Sequence, residues 1–204
     1  LGAGYDTRAY RFEQLKRRVR VFEVDHPATQ QIKIEKLKKT LGSLPDHVVY
    51  VPIDFEKETL KERLLESGYD PSLRTLFILQ GVVMYLTPEA VDHTLSFIAK
   101  NSAPGSSVVF DYVYKSVVEG SWKRGEANSM RRYEKLTGEV LRFGIEEGKV
   151  DEFLTQRGFC QIHNADSEYL KNRYFTGKNQ KRDVAPVYAI VRATAKPQIQ
   201  AQTD

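Results

Sequence analysis

The chain has 204 residues, 41% hydrophobic and 28% charged, with a formal net charge of +4. That is the profile of one soluble globular domain with a sizeable core. No apolar run approaches the ~20 residues that span a bilayer, and no signal peptide is seen, so a cytoplasmic protein without a membrane partner is expected.

The first twelve residues, LGAGYDTRAYRF, carry the strongest local signal. Gly2 and Gly4 flank Ala3, and two glycines two apart let the backbone turn sharply and a ligand come close, because neither has a Cβ. In α/β folds such a turn between a strand and a helix is a nucleotide site. Thr7 stands where a dinucleotide fingerprint has its third glycine, which speaks against a nicotinamide or flavin cofactor. A loop of this type follows a buried strand. Only Leu1 precedes Gly2, so the natural protein is expected to be longer, with the first strand of the sheet largely outside this chain.

Residues 8–18 read as short helical or irregular chain ending in a basic cluster, Lys16 to Arg20. Residues 19–24 (VRVFEV) read as a strand that runs into Glu23, Asp25, His26 and Pro27. A carboxylate about 20 residues after the glycine loop, at the tip of the next strand, can hydrogen-bond both hydroxyls of a ribose; Asp25 has that place. Pro27 suits the first turn of a helix, and Ile32, Ile34, Leu37 and Leu41 supply an apolar spacing that ends at Gly42. HVVYVP, residues 47–52, is the next strand, followed by Ile53, Asp54 and Phe55. An acid beside an aromatic at a strand tip suits an adenine; equally, Asp54 can cap a helix and Phe55 can join the core.

A charged amphipathic helix is expected over 56–67, a turn over 69–72, and a strand over 75–79 so apolar that it must be buried on both faces. Gln80-Gly81 and Tyr85 follow. Thr87 and Pro88 start a helix over 89–100, and 107–113 (SVVFDYV) is a further strand containing Asp111. This alternation implies βαβ crossovers and a mostly parallel sheet. Residues 114–148, with Trp122, Arg131, Arg132, Tyr133 and Phe143, break the rhythm and read as a helical cap inserted over the strand tips, or else as a plain surface helical pair. A helix over 150–157, a strand over 159–164, a basic loop-like stretch over 169–183, a closing antiparallel strand over 186–193 and a disordered tail after Lys196 complete the chain. No repeat or linker interrupts a single domain over 1–196. Cys160, the sole cysteine, excludes an intrachain disulfide and reads as a small buried residue beside Phe159. His47 and His163 have no partner at metal-ligand spacing, and no metal is expected.

LGAGYDTRAYRF, FEVDHP, PIDF, ILQGVVMYLTPEAV and FGIEEGKVDEFLTQRGF together resemble the leucine carboxyl methyltransferase family, from Leu1 to about Ala193. The resemblance implies a Rossmann-like methyltransferase fold and S-adenosyl-L-methionine as cofactor. It places Gly2, in a loop shared with Ala3 and Gly4, against the methionine portion, Asp25 on the ribose, and Asp54 with Phe55 around the adenine. Gln80 stands where the family usually has Glu, near the cofactor's amino group; an amide keeps the hydrogen bonding but loses the attraction to an ammonium. The family also grips the cofactor carboxylate with basic residues upstream of the loop; none is present here, so weak or absent cofactor binding is expected of this segment alone.

The implied reaction moves a methyl group to a carboxylate or hydroxyl of a small molecule or peptide. A carboxylate acceptor needs no base; for a hydroxyl, Tyr85, Asp111 and His93 are candidates by position, although His93, in mid-helix, reads rather as a surface residue. A tRNA-modifying enzyme using the basic stretches 16–20 and 171–182, and a non-catalytic protein with a degraded cofactor site, are the alternatives.

Overall fold

The computed structural model describes residues 1–55, 57–121 and 138–197. The chain divides at the turn after Tyr69 into two compact units, one of residues Leu1–Pro71 and one from Ser72 onward.

The first unit opens with the glycine loop and two short helices, α1 (Arg8–Arg11) and α2 (Glu13–Arg18). Strand β1 (Val21–Asp25) leads through α3 (Pro27–Leu41) to β2 (Val48–Pro52). The two strands pair in parallel, with Glu23 opposite Tyr50 and Asp25 opposite Pro52, as a helical crossover requires. Val24, Val51 and Ile53 are fully buried, and Leu60 and Leu64 of α4 (Leu60–Glu66) join them. The predicted helix over 56–67 starts late. Thr59 accepts a hydrogen bond from Glu62 N (3.3 Å) and donates to its carboxylate (2.7 Å), which fixes the first turn at Leu60. Glu56 lies outside the described residues.

Helix α3 does not bury the residues its spacing suggests. Ile32 and Leu41 are nearly half exposed, while Gln30 and Lys33 are buried. The polar face wins because β1 offers it matching groups: Gln30 Nε2 donates to Glu23 O (2.9 Å), and Lys33 Nζ lies 2.8 Å from Glu23 Oε2.

The second unit contains β3 (Leu76–Leu79), α5 (Pro88–Lys100), β4 (Ser107–Val113), α6 (Lys115–Val118), α7 (Val150–Gln156), β5 (Phe159–Ala165), α8 (Ser167–Tyr174) and β6 (Tyr188–Ala195). Its sheet order is β3-β4-β6-β5. β3 and β4 are parallel, and β6 slots between β4 and β5, antiparallel to both. The closing strand is therefore antiparallel, as expected, and Leu79, Leu95, Ile98, Val108, Phe110, Leu154, Phe159 and Val191 are essentially sealed from solvent; the expected burial of the 75–79 run on both faces does not hold, because Leu76 at the start of β3 is exposed.

Two readings are corrected. The basic stretch over 169–183 is not a loop throughout: Asp166 accepts from Tyr169 N (2.8 Å) and caps α8, and a 3-10 turn follows at Gly177–Asn179. Cys160 is partly exposed rather than buried. Of the stretch read as a cap, Trp122, Arg131, Arg132 and Tyr133 lie outside the described residues, as does the tail beyond 197. Phe143 is buried against Phe153, with ring centroids 5.7 Å apart. Among the described residues no helix is long and apolar enough to cross a membrane.

Candidate functional site

Three consecutive residues of β1 hold the glycine loop. Ala3 N donates to Val24 O (3.1 Å), and Gly4 N donates to Asp25 Oδ2 in a short hydrogen bond. One residue earlier on the strand, Glu23 Oε2 accepts from the Tyr10 hydroxyl (2.8 Å). Gly2 and Gly4 both have positive φ (61° and 43°), a conformation that L-residues rarely adopt. A Cβ built on Gly4 would meet nothing within 4 Å, so the space beside Gly4 is open.

Asp25 closes β1 with its carboxylate turned back to the loop. Its Oδ1 accepts from His26 N (2.7 Å), and its carbonyl accepts from Ile53 N (2.9 Å) at the end of β2. The His26 ring in turn accepts from Ala28 N (3.3 Å) and caps α3. Two backbone N–H groups thus fix the carboxylate, and its remaining lone pairs stay available to further donors. Asp54 follows β2: its Oδ2 accepts from Lys57 Nζ (2.7 Å), and its backbone N donates to Glu58 (2.9 Å). Phe55 is half-buried. Gly2, Ala3, Gly4, Asp25, Asp54 and Phe55 therefore sit on one unit, at the C-terminal edge of its parallel strands, where open α/β sheets bind ligands.

Asp6 steadies the exit of the loop. It accepts from Arg8 N (2.8 Å) and Arg8 Nε (2.6 Å). Burial works to raise its pKa, but the hydrogen bonds and charge of Arg8 outweigh it and hold the carboxyl below the usual value of 3.8. A depressed folded-state pKa gives stability that is present above about pH 4 and lost as pH falls through the folded value. Asp6→Asn is therefore expected to narrow the difference in melting temperature between pH 6 and pH 3, measured by thermal unfolding at both.

In the second unit Gln80 is exposed and follows β3 directly. Tyr85 ends a 3-10 turn over Val83–Tyr85. Asp111 Oδ1 accepts from Gly81 N (2.7 Å), tying β4 to the turn after β3; Gly81 has φ +66°. A cleft of about 680 Å³ lies among α5, α6 and α7, lined by Pro88, Lys115, Arg142, Phe143, Ile145 and Phe153 among others; Gln80, Tyr85 and Asp111 are not in its walls. His93 is exposed, His47 Nε2 bonds Ala9 O (2.9 Å), and His163 packs edge-on to Tyr169. Among the described residues no group of three or more His, Cys, Asp or Glu is placed to hold a metal ion.

Residues 1–99 match the model of the leucine carboxyl methyltransferase family. The chain is similar to that family over this span, just under half of its length. Over 196 residues it is 30% identical to a putative S-adenosyl-L-methionine-dependent methyltransferase, YktD, of Bacillus subtilis, covering 96% of this chain and 64% of that one. A Mycolicibacterium vanbaalenii protein of the same description is 32% identical over 133 residues, covering 65% of this chain and 43% of that one. The chain thus spans less than two thirds of these relatives. Among solved structures, the CurJ carbon methyltransferase superposes with a TM-score of 0.59 at 15% identity, covering 96% of this chain and 47% of that one. Human N-acetylserotonin methyltransferase gives 0.54 at 17%, covering 96% and 46%. The fold is the Rossmann-like methyltransferase fold.

The sequence does not announce the cluster of Glu23, Lys33 and Tyr10, which bond one another next to the strand tip that carries Asp25. The available signal was the period of two along β1, which puts Glu23 on the same face as Asp25.

Proposed function

We propose that the protein is an S-adenosyl-L-methionine-dependent O-methyltransferase acting on a carboxylate or hydroxyl of a small molecule or peptide. The observation that carries this reading is the Asp25 carboxylate, clamped by Gly4 N and His26 N at the strand tip beside a glycine loop open at Gly4. That donor set fits a nucleoside bearing an amino acid tail. The loop lets the backbone approach the methionine portion, Asp25 accepts from the ribose hydroxyls, and Asp54 and Phe55 bound the adenine.

The cofactor supplies a sulfonium methyl that is already activated, so the protein's task is to place an acceptor oxygen in line with it. A carboxylate needs no base. A hydroxyl must lose a proton, and Asp111 is assigned to holding the Gly81 turn rather than to that role. Asp111→Asn keeps an acceptor for Gly81 N and is expected to retain methyl transfer within about threefold, whereas loss of a general base costs 10²–10⁴-fold.

The test of the function is transfer of a labelled methyl group from the cofactor by the full-length protein to a panel of carboxylic acids and phenols. Label in a product that releases methanol in base marks an ester, and base-stable label marks an ether; either supports the proposal. Label found only on nitrogen or carbon, or no transfer to any acceptor, contradicts it.

A further inference from the structure

Glu23 and Lys33 form a buried ion pair behind the proposed cofactor loop, with side chains only 6% and 5% exposed. Tyr10 OH donates to Glu23 Oε2 (2.8 Å) and lies 3.1 Å from Tyr50 OH. Lys33 Nζ also faces the Tyr10 ring, 5.5 Å from its centroid, and has no aligned hydrogen bond among the described residues. Three elements (α1, β1 and α3) thus meet at one carboxylate, and β2 joins them through the Tyr50 hydroxyl on Tyr10.

Such a pair is a poor source of stability. Removing two charges from water costs several kcal/mol per ion, and apolar residues of similar volume often replace a buried pair with no loss. Geometry is what the pair supplies. Glu23 sits two residues before Asp25 on the same face of β1, about 7 Å along the strand. Its partner Tyr10 belongs to α1, the first helix after the loop. The segment from Ala3 to Tyr10 is therefore pinned at both ends to residues 23, 24 and 25. Lys33 holds Glu23 in the rotamer that receives Tyr10, and Tyr50 OH braces the Tyr10 hydroxyl from the other side. Burial and the bonds to Tyr50 and Glu23 push the Tyr10 pKa far above the ordinary tyrosine value, so the hydroxyl stays a donor.

We infer that Glu23, Lys33, Tyr10 and Tyr50 are positioning residues that fix the Gly2–Gly4 loop, and with it the Asp25 carboxylate, in the conformation that receives the cofactor. The inference rests on the cofactor site proposed above, but one readout does not depend on it.

The test uses the full-length protein, with Tyr10→Phe removing a single hydroxyl and the double substitution Glu23→Met with Lys33→Met replacing the pair by apolar residues of similar length. Amide hydrogen exchange at Gly4, melting temperature, and calorimetric binding of S-adenosylmethionine are measured for each. The expected result is Gly4 exchange at least tenfold faster and cofactor affinity five- to tenfold weaker in both variants, with the melting temperature of Tyr10→Phe within about 3 °C of the parent. Adding Tyr10→Phe to the double variant should change little further, because the residues act as one unit. Unchanged Gly4 exchange in Tyr10→Phe overturns the inference, and so does an affinity loss that merely follows a falling melting temperature. If the double variant does not fold, Tyr10→Phe decides alone. If the parent binds no cofactor, the site proposal fails, while the exchange measurement still decides whether these residues hold the loop.

Discussion

Replacing Asp25 with alanine is expected to weaken S-adenosylmethionine binding by about 100-fold, the largest effect of any single substitution at the proposed site. Two losses combine. The ribose hydroxyls lose a charged acceptor, and a hydrogen bond to a charged group is worth about 1.5–3 kcal/mol. The Gly4 amide also loses its partner, so the loop that should lie against the methionine portion is released from β1. About 2.7 kcal/mol corresponds to the 100-fold change. Asp25→Asn separates the two contributions. With its amide oxygen turned to Gly4 N it keeps the loop in place while the charge and the acceptor for His26 N are lost, and the loss should be nearer tenfold. Calorimetric titration of the parent and both variants of the full-length protein checks the ranking. Equal affinity in all three would remove Asp25 from the site.

The second large effect concerns stability. Gly144 lies where the chain returns beside the end of β4: Lys115 N donates to Ile145 O (2.9 Å) and Ile145 N to Val113 O (3.1 Å). A Cβ at Gly144 would stand 2.9 Å from both Cα and N of Lys115 and 3.0 Å from the Tyr114 carbonyl carbon. These are backbone atoms that cannot swing aside as a side chain could. Gly144→Ala must therefore break the bridge or displace α6, at a cost of about 2–4 kcal/mol. At roughly 2–4 °C per kcal/mol for a chain of this size, the melting temperature should fall by about 5–15 °C. Gly42→Ala is the control. Gly42 also resists substitution, through its φ of +78°, but a Cβ there meets nothing within 4 Å, so only the conformational penalty of about 1 kcal/mol remains. A Gly144→Ala variant no less stable than Gly42→Ala would show that the close approach is not a constraint.

The fold was legible where one residue pattern served one purpose. Val21 to Val24 and Leu76 to Leu79 are rich in β-branched or apolar residues and form strands, although Leu76 is exposed and β3 is not covered on both faces along its length, and Thr87-Pro88 marks its helix start within a residue. The carboxylates at the tips of β1 and β2 were legible as well, because their spacing from the glycine loop is a local feature of the chain. What stayed hidden depends on partners far away in sequence. The buried face of α3 is Gln30 and Lys33, against its own apolar spacing, because Glu23 lies beneath it. Asp111 reads as a free carboxylate in a strand until Gly81 is found at its end, 30 residues earlier. The start of α8 was different: Asp166 is an ordinary N-cap residue, and its signal was masked by the basic composition of the residues that follow it.

The central claim is that the glycine loop and the two strand-tip acids of the first unit form a nucleoside cofactor site. The most direct measurement is amide chemical-shift mapping of the isotope-labelled full-length protein during titration with S-adenosylhomocysteine. The largest shifts are expected to cluster at Gly2, Ala3, Gly4, Asp25, Asp54 and Phe55 and to vanish in Asp25→Ala at the same ligand concentration. Shifts confined to other residues, or a saturable response that persists in Asp25→Ala, would contradict it.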